Sequence, residues 1–313
     1  PCYNEEKTLP LALKDLPKKI AGIDSLEILV INDGSTDKTF DVARSAKVDH
    51  ILNLPGHLGL AEAFKRGLER SVELGADIII NTDGDNQYNG KFIPELVKPI
   101  IDGKAEIVIG CRDMSAIKHF SLMKKLLQKV GSHFVRKFSD TDIPDTTSGF
   151  RAYSRDAALK MNIFSTYTYT LETIIQAGRK KIPMTYVNVT TNEKLRESRL
   201  IKSIPAYITR SIATILRIYL MYEPLKSFVT IGLAPIVCSF LLVGRFFYYY
   251  FTSVKGSSGH VQSLIIAAMV FVAGLMIIVI GLLGDIISAN RKLNEEILYR
   301  YRKDSVEKSR LGK

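Results

Sequence analysis

Ala76-Asp77-Ile78-Ile79-Ile80-Asn81-Thr82-Asp83-Gly84-Asp85-Asn86-Gln87 runs from branched apolar residues directly into two carboxylates. A short isoleucine run bounded by turn residues reads as a buried strand. Two further stretches repeat the pattern. Leu26-Glu27-Ile28-Leu29-Val30-Ile31 ends at Asn32-Asp33-Gly34-Ser35, and Glu106-Ile107-Val108-Ile109-Gly110 ends at Cys111-Arg112-Asp113. Helical patterns lie between them. From Leu58 to Leu74 the residues Leu60, Ala63, Phe64, Gly67, Leu68 and Val72 share one face, and Phe92 to Ile101 is a second helix. A helix after Ile31 takes Ser35 or Thr36 as its N-cap. Alternating β and α units predict an α/β fold with a mostly parallel sheet covered by helices. Ligands of open α/β sheets bind outside the carboxyl ends of the strands, and Asp33, Asp83, Asp85 and Arg112 all fall there. Carboxylates gathered at one edge repel one another unless a cation or a cationic ligand joins them.

The chain has 313 residues, 46% of them hydrophobic, which excludes a disordered protein and a disulfide-stapled miniprotein. Cys2, Cys111 and Cys238 are far apart and give neither a disulfide framework nor a zinc spacing. A formal charge of +11 calls for an anionic partner: nucleic acid, a phosphorylated substrate or acidic lipid. The sequence opens on Pro1-Cys2-Tyr3-Asn4-Glu5-Glu6, a polar loop with no apolar strand before it. The expectation is that a first β-strand is missing from the N-terminus.

The last quarter carries the longest uncharged runs. Ser227 to Phe251 is apolar except for Arg245, and Leu264 to Leu283 carries no charge. Twenty residues at about 1.5 Å each span about 30 Å, the hydrocarbon thickness of a bilayer. A buried helix in a soluble core is the alternative for each run. Arg245 can snorkel, and Tyr248, Tyr249 and Tyr250 suit a headgroup boundary. Ser203 to Tyr222 reads as an amphipathic helix at the membrane interface, or as an ordinary surface helix. Arg210, Arg217 and Lys226 flank one side of the apolar pair, and Arg291, Lys292, Arg300, Arg302 and Lys303 flank the other. The positive-inside rule puts both ends in the cytoplasm, with acidic headgroups as partners of the excess charge.

Asp83 and Asp85 in an Asp-x-Asp spacing can hold a divalent cation against a diphosphate, and hard oxygen ligands suit magnesium or manganese. An EF-hand fails, because a loop counted from Asp83 has Tyr88 where glycine is needed and Pro94 where the bidentate glutamate belongs. A solvated turn remains the competing reading. There is no Gly-x-x-x-x-Gly-Lys-Ser/Thr, no complete dinucleotide fingerprint around Gly56-His57-Leu58-Gly59, no His-Glu-x-x-His and no Gly-x-Ser-x-Gly. No nucleic-acid-binding motif is present either.

Four motifs in order then resemble family 2 glycosyltransferases of the GT-A fold: Pro1-Cys2-Tyr3-Asn4-Glu5, Asn32-Asp33-Gly34-Ser35-Thr36-Asp37, Asp83-x-Asp85-x-Gln87 and Thr147-Ser148-Gly149-Phe150-Arg151-Ala152. More narrowly they are similar to the dolichyl-phosphate mannose synthase group, which includes bacterial polyprenyl-phosphate glycosyltransferases. The resemblance covers residues 1 to about 200. It implies a Rossmann-like GT-A nucleotide-sugar-binding domain at 1–200, followed by an interface helix at 201–224, a hairpin of two transmembrane helices at 225–290 and a basic cytoplasmic tail at 291–313.

The resemblance also implies roles. Pro1, Tyr3, Glu5 and Asp33 line the nucleotide pocket. Asp83, Asp85 and Gln87 bind Mg2+ or Mn2+ and the donor diphosphate. Arg112, Lys124 and Lys125 face the acceptor phosphate, with Ser148 and Arg151 beside the acceptor, and Asp85, Arg112 and Arg151 form the catalytic group. Arg196, Ser198 and Arg199 resemble a basic segment that closes over the donor, although Glu197 stands where many members have glycine and Arg199 where many have lysine. Gly84 replaces the alanine of the more frequent Asp-Ala-Asp, a change expected to keep the geometry. Arg112 and Arg151 could equally be structural ion-pair partners, and Lys124 and Lys125 a solvated face. Asp113 and Asp145 are read as caps or turn residues, and Tyr167 and Tyr169 as packing.

The expected activity is inverting transfer of a hexose from a nucleotide-diphosphate sugar, of the GDP-mannose or UDP-glucose type, to dolichyl or undecaprenyl phosphate at the cytoplasmic face of the plasma membrane. A lipid phosphate is already an anion and needs no strong general base. Expected partners are the nucleotide sugar, the polyprenyl phosphate and the membrane, with a homo-oligomer possible and no nucleic acid. One alternative is a protein or polysaccharide acceptor; processive synthases of that kind usually carry Gln-x-x-Arg-Trp, and this chain has no Trp. The other is an inactive membrane adaptor that retains the fold.

Overall fold

A computed structural model of the chain describes residues 1–112, 136, 139–165, 168–193, 204–252 and 261–311. They divide into two compact units, Pro1–Ile215 with Leu298–Lys313, and Leu216–Ile297.

The first unit holds two sheets. In one, β1 (Leu29–Asn32) pairs in parallel with β2 (His50–Asn53). The other has the order β3-β5-β4-β6, built from β3 (Ile78–Asn81), β4 (Ile107–Arg112), β5 (Arg151–Ser154) and β6 (Met184–Val189). β4 and β6 run parallel, but β5 lies between β3 and β4 and is antiparallel to both. The second sheet is therefore mixed. β5 contains no branched apolar run. Its strand character comes from pairing on both edges and from complete burial of Phe150, Arg151, Ala152 and Tyr153.

Helices α1 (Leu9–Asp15), α2 (Thr39–Ser45), α3 (Leu60–Leu74), α4 (Ile93–Ile101), α5 (Arg155–Lys160) and α6 (Thr170–Arg179) complete the layers. α3 buries Ala61, Ala63, Phe64, Gly67, Leu68 and Val72. A Cβ at Gly67 would lie 2.7 Å from Ile31 Cδ1, so the missing side chain lets α3 press onto β1. α3 ends in a Schellman motif: Gly75 has φ +97°, Ala76 N–H donates to the Ser71 carbonyl (3.1 Å) and Gly75 N–H to that of Val72 (3.0 Å). Under α4 the core gathers Ile93, Leu96, Val97, Val108, Phe150, Ala152 and Val189.

The expected cap of α2 differs. The helix starts at Thr39 after Lys38, with no side-chain cap from Ser35 or Thr36. Those residues serve a distant loop instead: Asn4 N–H donates to Ser35 Oγ (2.9 Å), and Thr36 N–H donates to Asn4 Oδ1 (2.7 Å).

One ion pair ties the end of β4 to the turn before β5. Arg112 Nε and Nη2 donate to Asp145 Oδ2 (2.7 Å) and Oδ1 (3.2 Å), and Nη2 also donates to Thr147 Oγ1 (3.0 Å). Both side chains are nearly enclosed. Burial alone would raise the Asp145 carboxyl, but the charge and hydrogen bonds of Arg112 win and hold it below the usual carboxylate range. Asp145 is thus more than the cap or turn residue expected, although its Oδ1 does also accept from Thr147 N–H (3.2 Å).

The C-terminal helices are α7 (Ile204–Tyr222), α8 (Pro224–Thr252) and α9 (Val261–Leu311). α8 and α9 are each long and apolar enough to cross a membrane. Only 17% of each apolar window is buried, which argues against a soluble-core helix. Within the second unit these helices approach closely at glycines. A Cβ on Gly232 would lie 2.9 Å from the Gly274 carbonyl oxygen, and one on Gly274 would lie 2.9 Å from that of Gly232. Small residues permit such backbone contact between apolar helices. α9 stays helical through the stretch expected to be a tail. Its Tyr299 hydroxyl donates to Asp156 Oδ1 (2.5 Å), and Arg302 Nη1 donates to the Met161 carbonyl (3.2 Å) beyond α5.

Two outcomes follow from this packing. Gly274→Leu should lower the thermal stability of the detergent-solubilised protein by about 1–3 kcal/mol, the usual cost of overpacking. Gly244→Leu is the control, since a Cβ there meets nothing within 4 Å, and should change little. Asp145→Asn should cost about 3–5 kcal/mol near neutral pH, because it strips the partner from a buried Arg112. The folded carboxyl lies below its unfolded value of about 3.9, so this stability is present above that value and lost as pH falls through the folded one. Melting curves of wild type and variant should therefore still differ at about pH 4 and converge only as the pH falls further, through the depressed folded value.

Candidate active site

Chain direction brings the acidic residues together. Asp33 follows β1, and Asp83 and Asp85 follow β3. Cys2 lies against both loops: its N–H donates to the Ile31 carbonyl (2.7 Å), and Asp33 N–H donates to its own carbonyl (2.9 Å). A Cβ at Gly84 would lie 2.6 Å from Cys2 Sγ and 3.6 Å from Glu5 Cγ. Gly84 therefore makes room for the cysteine sulfur, and an alanine here would force a shift. Burial pushes the Cys2 thiol up, and the charges of Glu5, Asp83 and Asp85 push it further.

Each acid is held differently. Glu5 is buried and accepts from Thr8 Oγ1 (2.6 Å), while its own N–H donates to Thr39 Oγ1 (2.7 Å). Asp85 Oδ1 accepts from Gln87 N–H (3.1 Å), an Asx turn that fixes the loop. Asp33 is buried, accepts from the amides of Leu58 (2.8 Å) and Gly59 (3.0 Å), and lies 2.8 Å from His57 Nδ1. The His57 ring stacks on Tyr3 with centroids 3.8 Å apart. Tyr3, Asp33 and His57 form one wall of this region, beside the half-buried Pro1.

A divalent cation fits this donor set by its chemistry. Asp83 and Asp85 offer hard carboxylate oxygens from one loop. No group of three or more His, Cys, Asp or Glu that could hold a metal ion converges among the described residues, so a cation here would draw on the two aspartates of this loop. Magnesium and manganese sites that share a substrate phosphate are built this way, with the phosphate and water filling the octahedron. Gln87 ties the loop through its backbone, its carbonyl accepting from Asn192 N–H (2.9 Å).

Three expected site residues lie deeper than the resemblance implies. Arg112 is committed to Asp145 and Thr147 and lies 5.8 Å from the Tyr88 ring. Arg151 is 1% exposed, too enclosed to touch an acceptor. Its guanidinium donates to the carbonyls of Ser148 (2.8 Å), Thr146 (3.2 Å) and Thr170 (3.0 Å) and to Thr173 Oγ1 (2.6 Å). Ser148 is fully buried, with its Oγ accepting from Phe150 N–H (3.3 Å). Lys124, Lys125, Arg196, Ser198 and Arg199 lie outside the described residues.

Sequence reading missed four contributors. Tyr88 and Tyr169 are buried beside Asp83, whose charge adds to the effect of burial in raising both phenols. Asn81 donates from Nδ2 to Tyr169 Oη (2.8 Å) and to the Gly149 carbonyl (2.8 Å). Asn81 and Tyr88 flank the acidic motif, and that adjacency was the available signal. Asn192 lies after β6 and ties together Asp15, Asn86 and Asn89, with no local motif to reveal it.

The chain is similar to several known proteins. An uncharacterised protein of Methanocaldococcus jannaschii is 33% identical over 167 residues, 51% of this chain and 65% of that protein, so the match spans just under two thirds of its length. An undecaprenyl-phosphate mannosyltransferase of Micrococcus luteus is 25% identical over 225 residues, 67% of this chain and 90% of that one. Among solved structures, glucosyl-3-phosphoglycerate synthase of Mycobacterium tuberculosis, crystallised with Mn2+, UDP-glucose and phosphoglyceric acid, superposes with a TM-score of 0.56 at 21% identity. The superposition covers 70% of this chain and 77% of that one and supports the GT-A fold. The family model described as glycosyl transferase family 2 matches residues 1–161, the stretch that contains β1 to β5 and both aspartates of the acidic loop, and the chain belongs to that family.

Proposed function

We propose that the chain transfers a hexose, with inversion, from a nucleotide-diphosphate sugar to a polyprenyl phosphate at the cytoplasmic face of the membrane. The observation that carries this reading is the Asp83-Gly84-Asp85 loop, packed at Gly84 against Cys2 and Glu5, in a chain that also has two apolar helices of membrane length. The named activity of the Micrococcus luteus relative supports a lipid phosphate as acceptor. The Mn2+ and UDP-glucose bound to the Mycobacterium tuberculosis enzyme support a divalent cation and a nucleotide sugar.

In this reading Tyr3, Asp33 and Pro1 receive the nucleoside, with Asp33 held rigid by the amides of Leu58 and Gly59. Asp83 and Asp85 hold the cation and Gln87 braces their loop. A divalent cation bound there neutralises charge on the departing diphosphate. The lipid phosphate attacks the anomeric carbon opposite the leaving group, which inverts the configuration. Basic residues must bring this anion to an anionic donor, since the two repel. Lys124 and Lys125 are proposed for that task, with Arg199 closing over the donor phosphates. Arg112, Arg151 and Ser148 act one layer further back and fix the turn at 145–150. Both ends of the membrane hairpin lie in the cytoplasm, as the flanking Lys and Arg residues require. Holding the site at the bilayer surface converts a search in solution into a local encounter.

The test supplies the purified full chain, in detergent or liposomes, with labelled GDP-mannose or UDP-glucose, undecaprenyl or dolichyl phosphate, and Mn2+ or Mg2+. Label should pass into the organic extract, and chelation should stop it. Asp85→Asn should reduce transfer by about 10²–10³-fold, the equivalent of several kcal/mol of charge stabilisation. Undiminished transfer in that variant removes the metal role, and label found only in protein or polysaccharide gives the site another acceptor. NMR of the lipid product from an α-linked donor should show a β-linked sugar; an α linkage excludes single in-line displacement.

A further inference from the structure

Gly149 packs against the Asp83 carboxylate of the acidic loop. A Cβ built on it would lie 3.2 Å from Asp83 Oδ2, 3.5 Å from Oδ1 and 2.8 Å from Tyr169 Oη. The absence of a side chain here lets the backbone lie flat against the carboxylate. That backbone is gripped at both of its polar groups. Gly149 N–H donates to Tyr88 Oη (3.1 Å). Its carbonyl accepts from Asn81 Nδ2 (2.8 Å) and from Tyr169 Oη (3.3 Å).

The gripping groups are themselves immobilised. Tyr88 stacks on Phe150 with centroids 5.1 Å apart, and Tyr169 stacks on Phe64 at 3.7 Å. Asn81 also donates to Tyr169 Oη (2.8 Å) and lies two residues before Asp83, at the end of the same strand. Arg151 holds the turn from beneath through the carbonyls of Thr146 and Ser148. A carboxylate that binds a cation must keep one rotamer, and groups behind it set that rotamer.

The geometry points to a clamp: the Gly149 peptide, held by Asn81, Tyr88 and Tyr169, forms the wall that orients the Asp83 carboxylate for a divalent cation. These four are positioning residues and do not themselves touch donor or acceptor. The inference rests on the metal role of Asp83 proposed above. It gives the glycine of the Ser148-Gly149-Phe150-Arg151 motif a task on the donor side of the site, where the resemblance assigned that motif to the acceptor.

The experiment measures Mn2+ binding by electron paramagnetic resonance in the full-length, detergent-solubilised protein, with UDP or GDP present. It also measures the Mn2+ dependence of sugar transfer and the melting temperature. Tyr169→Phe removes one grip and should weaken Mn2+ binding by about 10–100-fold, the range typical of supporting residues. Turnover should recover at saturating Mn2+, with KM for the lipid phosphate unchanged. Gly149→Ala should weaken Mn2+ binding at least as much, and its methyl group also crowds Tyr169 Oη. The double variant Gly149→Ala/Tyr169→Phe removes that crowding, so it should melt close to Tyr169→Phe and still bind Mn2+ weakly.

Wild-type Mn2+ affinity in Tyr169→Phe overturns the clamp, and so does its return in the double variant. A loss of turnover that saturating Mn2+ does not restore also overturns it. If the wild-type protein binds no Mn2+ with either nucleotide, the metal reading of Asp83 itself fails and the clamp fails with it. Normal wild-type binding with unaffected variants sinks the clamp alone.

Discussion

Negative charge concentrated where the strands end is the constraint that the rest of the first unit answers. Glu5, Asp33, Asp83, Asp85 and Asp145 all belong to loops or turns near the carboxyl ends of β1, β3 and β4 or the start of β5. Left alone they would repel or take up protons. Asp33 is met by two backbone amides and His57, Glu5 by the Thr8 hydroxyl and Asp145 by Arg112. Asp145 braces the turn before β5, Asp33 is held rigid beside Tyr3, and Asp83 and Asp85 share the loop to which the proposed function assigns a cation. The fold thus distributes its acids over separate loops.

This separation explains which parts could be read from the sequence. β1, β3 and β4 are buried runs of Ile, Leu and Val, and their burial preserves the signal. β5 has Phe150, Arg151, Ala152 and Tyr153 instead. Its strand exists because two neighbours pair with it, and pairing partners more than 40 residues away leave no local trace. The same holds for polar groups. The Asp83–Asp85 motif was legible because both acids fall within three residues on a strand end. Asp145 looked like a turn residue because its partner Arg112 is 33 positions away. Ser35 and Thr36 looked like caps because nothing nearby reveals that Asn4, 31 and 32 positions away, competes for them.

Burial also sorts the aromatic residues. Tyr169 reads as core packing, and it is fully buried against Phe64. Its hydroxyl must still find partners there, because an unsatisfied buried phenol is costly. It finds them in Asn81 and the Gly149 carbonyl, next to Asp83. Tyr88 answers the same demand with Gly149 N–H. Two packing residues are thus drawn into the polar layer behind the acidic loop by their need for hydrogen bonds. Phenylalanine would supply the packing without that link.

The two arginines at this edge lead to the last step. Each is a natural candidate to hold an acceptor phosphate, yet Arg112 is engaged by Asp145 and Arg151 by three carbonyls and a hydroxyl. Withdrawing either would leave a buried ion or carbonyls without partners, at a cost comparable to total stability. Both therefore act as braces of the fold in this structure, and the proposed function places them one layer behind the acceptor. An anionic acceptor approaching an anionic donor still needs positive charge beside it. The proposed function assigns that charge to Lys124 and Lys125, while Arg112 and Arg151 brace the end of β4 and the turn before β5 from within.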